Sequence, residues 1–144
     1  MSKVFEAVDC FNQGFNCAQS VFSTYCEQFG INPEQALQIS CGFGGGMGRQ
    51  RGTCGAVTGA YMLIGLKHGN TRQDDIQSRE KTYELVREFA NKFIERNKCT
   101  SCKELLGIDL VNEDRDAISE KISTVCPKIV QDAAEIIEDL LKIE

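Results

Sequence analysis

"CGAVTGAYMLIGLKHG", residues Cys54–Gly69, decides the architecture. From Cys54 to Lys67 apolar residues fall on every side of a helical wheel: Ala56, Val57, Ala60, Tyr61, Met62, Leu63, Ile64 and Leu66. A helix without a polar face must be packed all round, so the segment predicts a central helix with others laid against it. It is too short to span a bilayer. Gly55 and Gly59, four residues apart, share one face of this helix. They let another backbone or a bulky cofactor come close, at up to ~1 kcal/mol each relative to alanine. Taken alone, the simpler use is that two helices touch there.

The flanking sequence is helical as well. A first helix is expected from about Ser2 to Asn12, with Val4, Phe5 and Val8 on one side and Gly14 as a stop. A second runs from Cys17 to Phe29 and is closed by Gly30. Pro33 opens a short third helix to about Cys41, after which five glycines in Gly42–Gly48 interrupt the chain. Beyond the central helix, Asp74–Asn97 forms a long amphipathic helix. Ile76, Tyr83, Val86, Phe89, Ala90 and Phe93 point inward, while Arg79, Glu80, Arg87 and Glu88 face water. A final helix starts at Pro127 and buries Ile129, Val130, Ala133, Ala134, Ile136, Ile137, Leu140 and Leu141. Between these two, short helices are expected at Cys102–Leu106 and near Asp114–Lys121. No alternating Val/Ile/Thr run signals a strand. The expectation is therefore an all-α fold: one compact domain over residues 1–144, with about six to eight helices and a glycine-rich loop before a buried central helix.

Composition narrows the function. A net charge of -5 without a Lys/Arg cluster excludes an electrostatic grip on nucleic acid or an anionic membrane surface. The amino-terminal residues lack a basic stretch followed by an apolar one, so a cytoplasmic protein without membrane insertion is expected. Histidine occurs once, at His68, too few for a catalytic triad or a multi-histidine zinc site. It is best placed at a helix C-terminus. Met47 is assigned to loop packing, and Tyr61 and Tyr83 to the core. Eight cysteines are many for a reducing compartment and point to metal binding or redox chemistry.

The glycine-rich stretch is not a phosphate loop. No Gly-Lys pair occurs in Gly42–Gly59, and no strand precedes it. Arg49 and Arg51 could meet an anion, but exposed loop arginines are usually solvated, and that is the reading adopted for them.

Position relative to helix starts sorts the cysteines, because unpaired N–H groups and the partial positive charge there favour thiolate. Asn16, with Gln19 three residues on, caps a helix beginning at Cys17. Thr53 does the same for Cys54, and Ser101 with Glu104 for Cys102. Cys126 precedes Pro127 and takes the cap position of the last helix. By contrast, Cys10, Cys26 and Cys41 fall late in their helices and read as small buried hydrophobes. Cys99 forms a C-x-x-C with Cys102 and is a spare-ligand candidate. If their helices converge, Cys17, Cys54, Cys102 and Cys126 make an all-thiolate set suited to iron–sulfur or zinc.

Four stretches carry a family resemblance: "GFNCAQSVF" at Gly14–Phe22, "GFGGGMGR" leading into "CGAVTGAYMLIGLKHG", "CKELLG" at Cys102–Gly107, and "CP" at Cys126. Together they resemble the C_GCAxxG_C_C family of redox-active proteins over nearly the whole chain. The resemblance implies a small helical protein, found largely in anaerobic bacteria and archaea and often encoded near transporters. It also implies four characteristic cysteines with a redox or metal-linked role, which by motif are Cys17, Cys54, Cys102 and Cys126. No C-x-x-C-H haem attachment motif is present.

The leading expectation is an electron-transfer protein in which these four cysteines bind an iron–sulfur cluster, [2Fe-2S]. Gly55 and Gly59 would leave room for sulfide, and N–H groups of Gly44–Gly48 would bond to sulfur. The alternatives are a thiol/disulfide oxidoreductase using the same residues and a structural zinc module docked on a transporter-associated partner. A redox partner is required by the first reading, and a homodimer is compatible with all three.

Overall fold

The computed structural model describes residues 1–108 and 114–143. The described residues form an all-α fold in the order α1 (Val4–Asn12), α2 (Cys17–Tyr25), a 3-10 turn (Cys26–Phe29), α3 (Pro33–Cys41), a single turn α4 (Gly44–Met47), α5 (Gly55–His68), α6 (Ile76–Asn97), α7 (Cys102–Leu106) and α8 (Arg115–Leu141). Residues 109–113, between the two short helices expected before Pro127, lie outside the described residues.

Local chemistry sets most of these boundaries. Asn16 Oδ1 accepts from the Gln19 N–H (2.9 Å) while Gln19 Oε1 accepts from the Asn16 N–H (3.1 Å), a reciprocal cap that starts α2 at Cys17. Asn32 caps α3, with Pro33 in its first turn. The expected second helix tightens into a 3-10 turn at Cys26 and stops at left-handed Gly30. α4 is a helix in name only, since Gly45, Gly46 and Met47 all have φ near +65° and wind the chain left-handed.

α5 is the helix the others surround. Gly55, Ala56, Val57, Gly59, Ala60, Leu63 and Ile64 are buried, and α2, α6 and α8 pack against it. Against α2 the approach is backbone to backbone. A Cβ on Gly59 would stand 2.9 Å from the Ala18 carbonyl oxygen, and one on Gly55 2.9 Å from the Ala18 nitrogen and 3.0 Å from the Phe43 carbonyl. The space where Cβ atoms of Gly55 and Gly59 would stand is filled by the α2 backbone at Ala18, so these glycines serve helix contact.

α6 lays Leu85, Phe89 and Phe93 into the core, with Tyr61 edge-on to Phe89 at 5.9 Å. Ile76 and Tyr83, expected inside, are 56% and 51% exposed. The inward stripe runs at intervals of four through Leu85, and Tyr83 lies about 200° round the helix from it. Asp132 of α8 binds α6 in turn, accepting from Lys128 (2.6 Å), Arg96 (3.2 Å) and Asn97 (3.2 Å). At the other end Glu138 accepts from Tyr25 (2.5 Å) and the Lys3 N–H (2.7 Å), joining α1, α2 and α8.

α8 corrects the expected boundary at Pro127, because one helix runs straight through it. Proline in a helix interior removes one hydrogen bond and costs ~3 kcal/mol. Ile118, Ile122 and Val125 before it share the core-facing stripe with Ile129 and Val130 after it. Burying that many large side chains, at roughly 1.5–3 kcal/mol each when complete, outweighs the loss. Among the described residues no helix is long and apolar enough to cross a membrane.

Gly59→Ala should destabilise the fold by about 1–3 kcal/mol, as overpacking against a backbone that cannot rotate away does. The measurement is the urea midpoint. Gly65→Ala, where an added Cβ meets nothing within 4 Å, should not lower it.

Candidate functional site

The contact between α2 and α5 is also what begins the site. Ala18, pressed on Gly55 and Gly59, follows Cys17, and Gly55 follows Cys54, so fixing one helix against the other fixes both cysteines. A short backbone pairing adds the third. Residues on either side of Thr53 run antiparallel to those around Ser101: the Cys54 N–H donates to the Thr100 carbonyl (2.7 Å), the Cys102 N–H to Gly52 (2.6 Å) and the Lys103 N–H to Arg51 (3.3 Å). That register sets Cys102 beside Cys54. The fourth, Cys126, comes from the middle of α8.

All four line one cavity of about 600 Å³, together with Phe11, Phe15, Leu106, Ile129 and the glycine turn. They are only 5–9% exposed. Their thiols act on one another. A hydrogen bond between Cys17 and Cys126 holds Cys17 well above the ordinary thiol range, reinforced by burial and by the other three sulfurs. The same bond, helped by the charge of Arg51 and opposed by burial, lowers Cys126. Burial pushes Cys54 up to about 12, although the N–H groups of Ala56 and Val57 favour its thiolate. Burial also raises Cys102, against the pull of Arg51, whose Nη1 is 3.7 Å from its sulfur.

The helix-start argument holds by position for Cys17 and Cys102, the first residues of α2 and α7. Cys54 is the cap residue itself. Cys126 is at no helix start, because α8 continues through Pro127, and its lowering comes from Cys17 and Arg51 instead of a helix end. Nor do helix ends produce thiolates at the other three, where desolvation or thiol pairing outweighs the dipole.

Cys26 is buried as expected and Cys10 is half-buried, 3.9 Å from the Ser23 hydroxyl. Cys41 is a correction: it is exposed, at the edge of the cavity, because α3 turns this end to solvent. Cys99 lines a separate groove with Arg96, Lys98, Glu104 and Lys128, so the C-x-x-C does not bring its two sulfurs into one cavity. Among the described residues no N–H of Gly44–Gly48 bonds a cysteine sulfur; that of Gly48 goes to the Gly44 carbonyl. Arg51 was read as solvated and is instead half-buried against Cys102. Its left-handed backbone, φ 62°, has no signature in the sequence.

Among the described residues, no three His, Cys, Asp or Glu side chains already stand as a coordination shell. The donor set nevertheless suits a soft cation. Ionising four sulfurs in one buried cavity would set four negative charges against the two arginines that border it, Arg49 and Arg51, and buried charge without compensation is costly.

A helical protein built around interacting buried thiols is the class this geometry defines. Residues 15–140 match the model of the family described as "Putative redox-active protein (C_GCAxxG_C_C)", and the chain belongs to that family. No curated protein and no solved structure matches it.

The raised Cys54 gives a pH signature. Its thiol ionises near 9 when unfolded but only near 12 when folded, so above pH 9 the unfolded chain binds fewer protons and stability falls. The expected slope from this group is about 1.4 kcal/mol per pH unit between 9 and 12. Urea melts of reduced protein at pH 8, 9 and 10 should show a steeper decline than those of Cys54→Ser; parallel curves would contradict a neutral, buried Cys54.

Proposed function

We propose that the chain is an electron-transfer protein whose Cys17, Cys54, Cys102 and Cys126 hold an iron–sulfur cluster, [2Fe-2S]. The observation that supports this is the convergence of four buried sulfurs on one cavity that Arg49 and Arg51 border. When bound, a cluster would supply a one-electron couple. The chain's own contribution is to fix the donors. Asn16 and Ser101 cap the turns that carry Cys17 and Cys102, and the pairing around Thr53 locks Cys54 to Cys102. Phe11, Phe15, Leu106 and Ile129 limit water at the sulfurs, and Arg51 offsets part of their charge, both of which act on a reduction potential.

A second reading rests on the bond between Cys17 and Cys126. In it, the Cys126 thiolate attacks a substrate disulfide, forming a mixed disulfide and releasing one substrate thiolate. Cys17, losing its proton, then attacks Cys126 and releases the second. Two electrons pass to the substrate, and the protein is left with one disulfide.

Reconstitution of anaerobic, reduced protein with iron and sulfide separates the two. The cluster reading expects a brown protein with equal iron and sulfide and visible charge-transfer bands, lost in Cys54→Ser. A colourless protein that loses roughly 2 Da on mild oxidation, with Cys17 joined to Cys126, would establish the exchange reaction instead. Zinc retained in the presence of excess iron would overturn both in favour of a structural site.

A further inference from the structure

Beside the thiol cavity lies a second one of about 490 Å³, lined by Arg49, Arg51, Arg115, Ile118, Ser119 and Ile122. It adjoins the first, since Arg49, Arg51 and Ile122 border both. Three guanidinium groups thus share one groove in a chain whose net charge is -5. Three of the four other arginines are paired, Arg72 with Asp74, Arg79 with Glu80 and Arg96 with Asp132 and Glu135. Among the described residues, no carboxylate lies within 4.0 Å of Arg49, Arg51 or Arg115.

The backbone is strained to bring two of them there. Arg49 and Arg51 have φ of 64° and 62°, a conformation that costs a bulky residue about 1–2 kcal/mol. Both side chains pass over Gly45: the position a Cβ would take there is 2.9 Å from Arg49 Cγ and 3.5 Å from Arg51 Nη1. The turn is tied by the Arg49 N–H to the Gly44 carbonyl and the Arg51 N–H to Gly45 (3.1 Å). Like charges gathered at the expense of backbone strain, with no carboxylate against them among the described residues, call for an external anion.

We propose that Arg49, Arg51 and Arg115 bind the oxyanion head of a small molecule at the mouth of the cysteine cavity. A guanidinium fork suits phosphate, sulfate or carboxylate, Ser119 adds a hydroxyl, and Ile118 and Ile122 wall the site. The two volumes lie in the range of small-molecule sites. Arg51 reaches both the groove and Cys102, so a molecule held by its anionic head presents its remainder to the sulfurs. Only this last consequence, that the anion is the reaction partner or its carrier, rests on the redox reading.

The test uses reduced, metal-free protein and two probes. Calorimetric titration with inorganic phosphate, and separately with sulfate and acetate, should give saturable binding, weakened at least tenfold in Arg49→Gln/Arg115→Gln and unchanged in Arg87→Gln. Iodoacetate, an anionic thiol reagent, should outpace neutral iodoacetamide at Cys102 and Cys126. That preference should fall in the double variant and on adding phosphate. No saturable binding of any of the three anions, or binding equal in wild type and double variant, would overturn the proposal. Iron and sulfide content of the same proteins is measured separately: anion binding without a cluster keeps this site and removes the iron–sulfur reading, and a cluster without anion binding removes this site and keeps that reading.

Discussion

The structure depends on the approach of the α2 backbone at Ala18 to the α5 backbone at Gly55 and Gly59. Two helix axes come this close only where small residues meet at the crossing, and here the missing Cβ atoms lie on α5, opposite Ala18. The contact has two effects. It allows α5 to be enclosed on all sides, which its apolar sequence requires, and it brings together the two residues that flank it, Cys17 and Cys54. Core and site are the same construction seen from two ends, so strain at the crossing is transmitted directly to the sulfurs.

The rest of the site is added by unlike means. Cys102 arrives by three backbone hydrogen bonds between loops, and Cys126 by a helix that tolerates a proline because the core holds both of its halves. The sulfurs then meet in a region of low polarity where each disfavours ionisation of the next, Cys126 excepted. This inverts the simplest view of cysteine at helix starts. A helix end stabilises an anion by ~0.3–1 kcal/mol at the surface, whereas full burial shifts a thiol by several times that. Such sulfurs are held in reserve until a cation, or a proton acceptor, offsets their charge.

The glycine turn has a role that neither a backbone phosphate loop nor cofactor clearance describes. Its left-handed path carries Arg49 and Arg51 across Gly45 and places one of them on Cys102 while both border the neighbouring groove. Positive charge is thereby built into the wall of the cavity that the glycine turn forms. Asn16 links this wall to the core: it caps α2, donates to the Cys41 carbonyl (3.0 Å), and packs on Gly44, where even a methyl group would collide with it.

What the sequence determined by itself was everything governed by neighbours along the chain. The caps at Asn16 and Ser101, the helix-opening Pro33, the stop at Gly30, the all-round apolar character of α5 and the ordered cysteine motifs are short-range facts, and the helices they predict at Cys17, Pro33 and Cys102 are the ones found. Pro127 misled because its local cost is legible while the burial that offsets it is not. Tyr83 misled because several helical stripes fit the same residues, and only the neighbouring helices select one. Tertiary structure alone decided that Gly55 and Gly59 face Ala18, that Cys99 lines a separate groove while Cys41 is exposed at the cavity's edge, and that Arg51 is half-buried against Cys102. Each of these turns on groups far apart in the chain, whose energies exist only after the helices have packed.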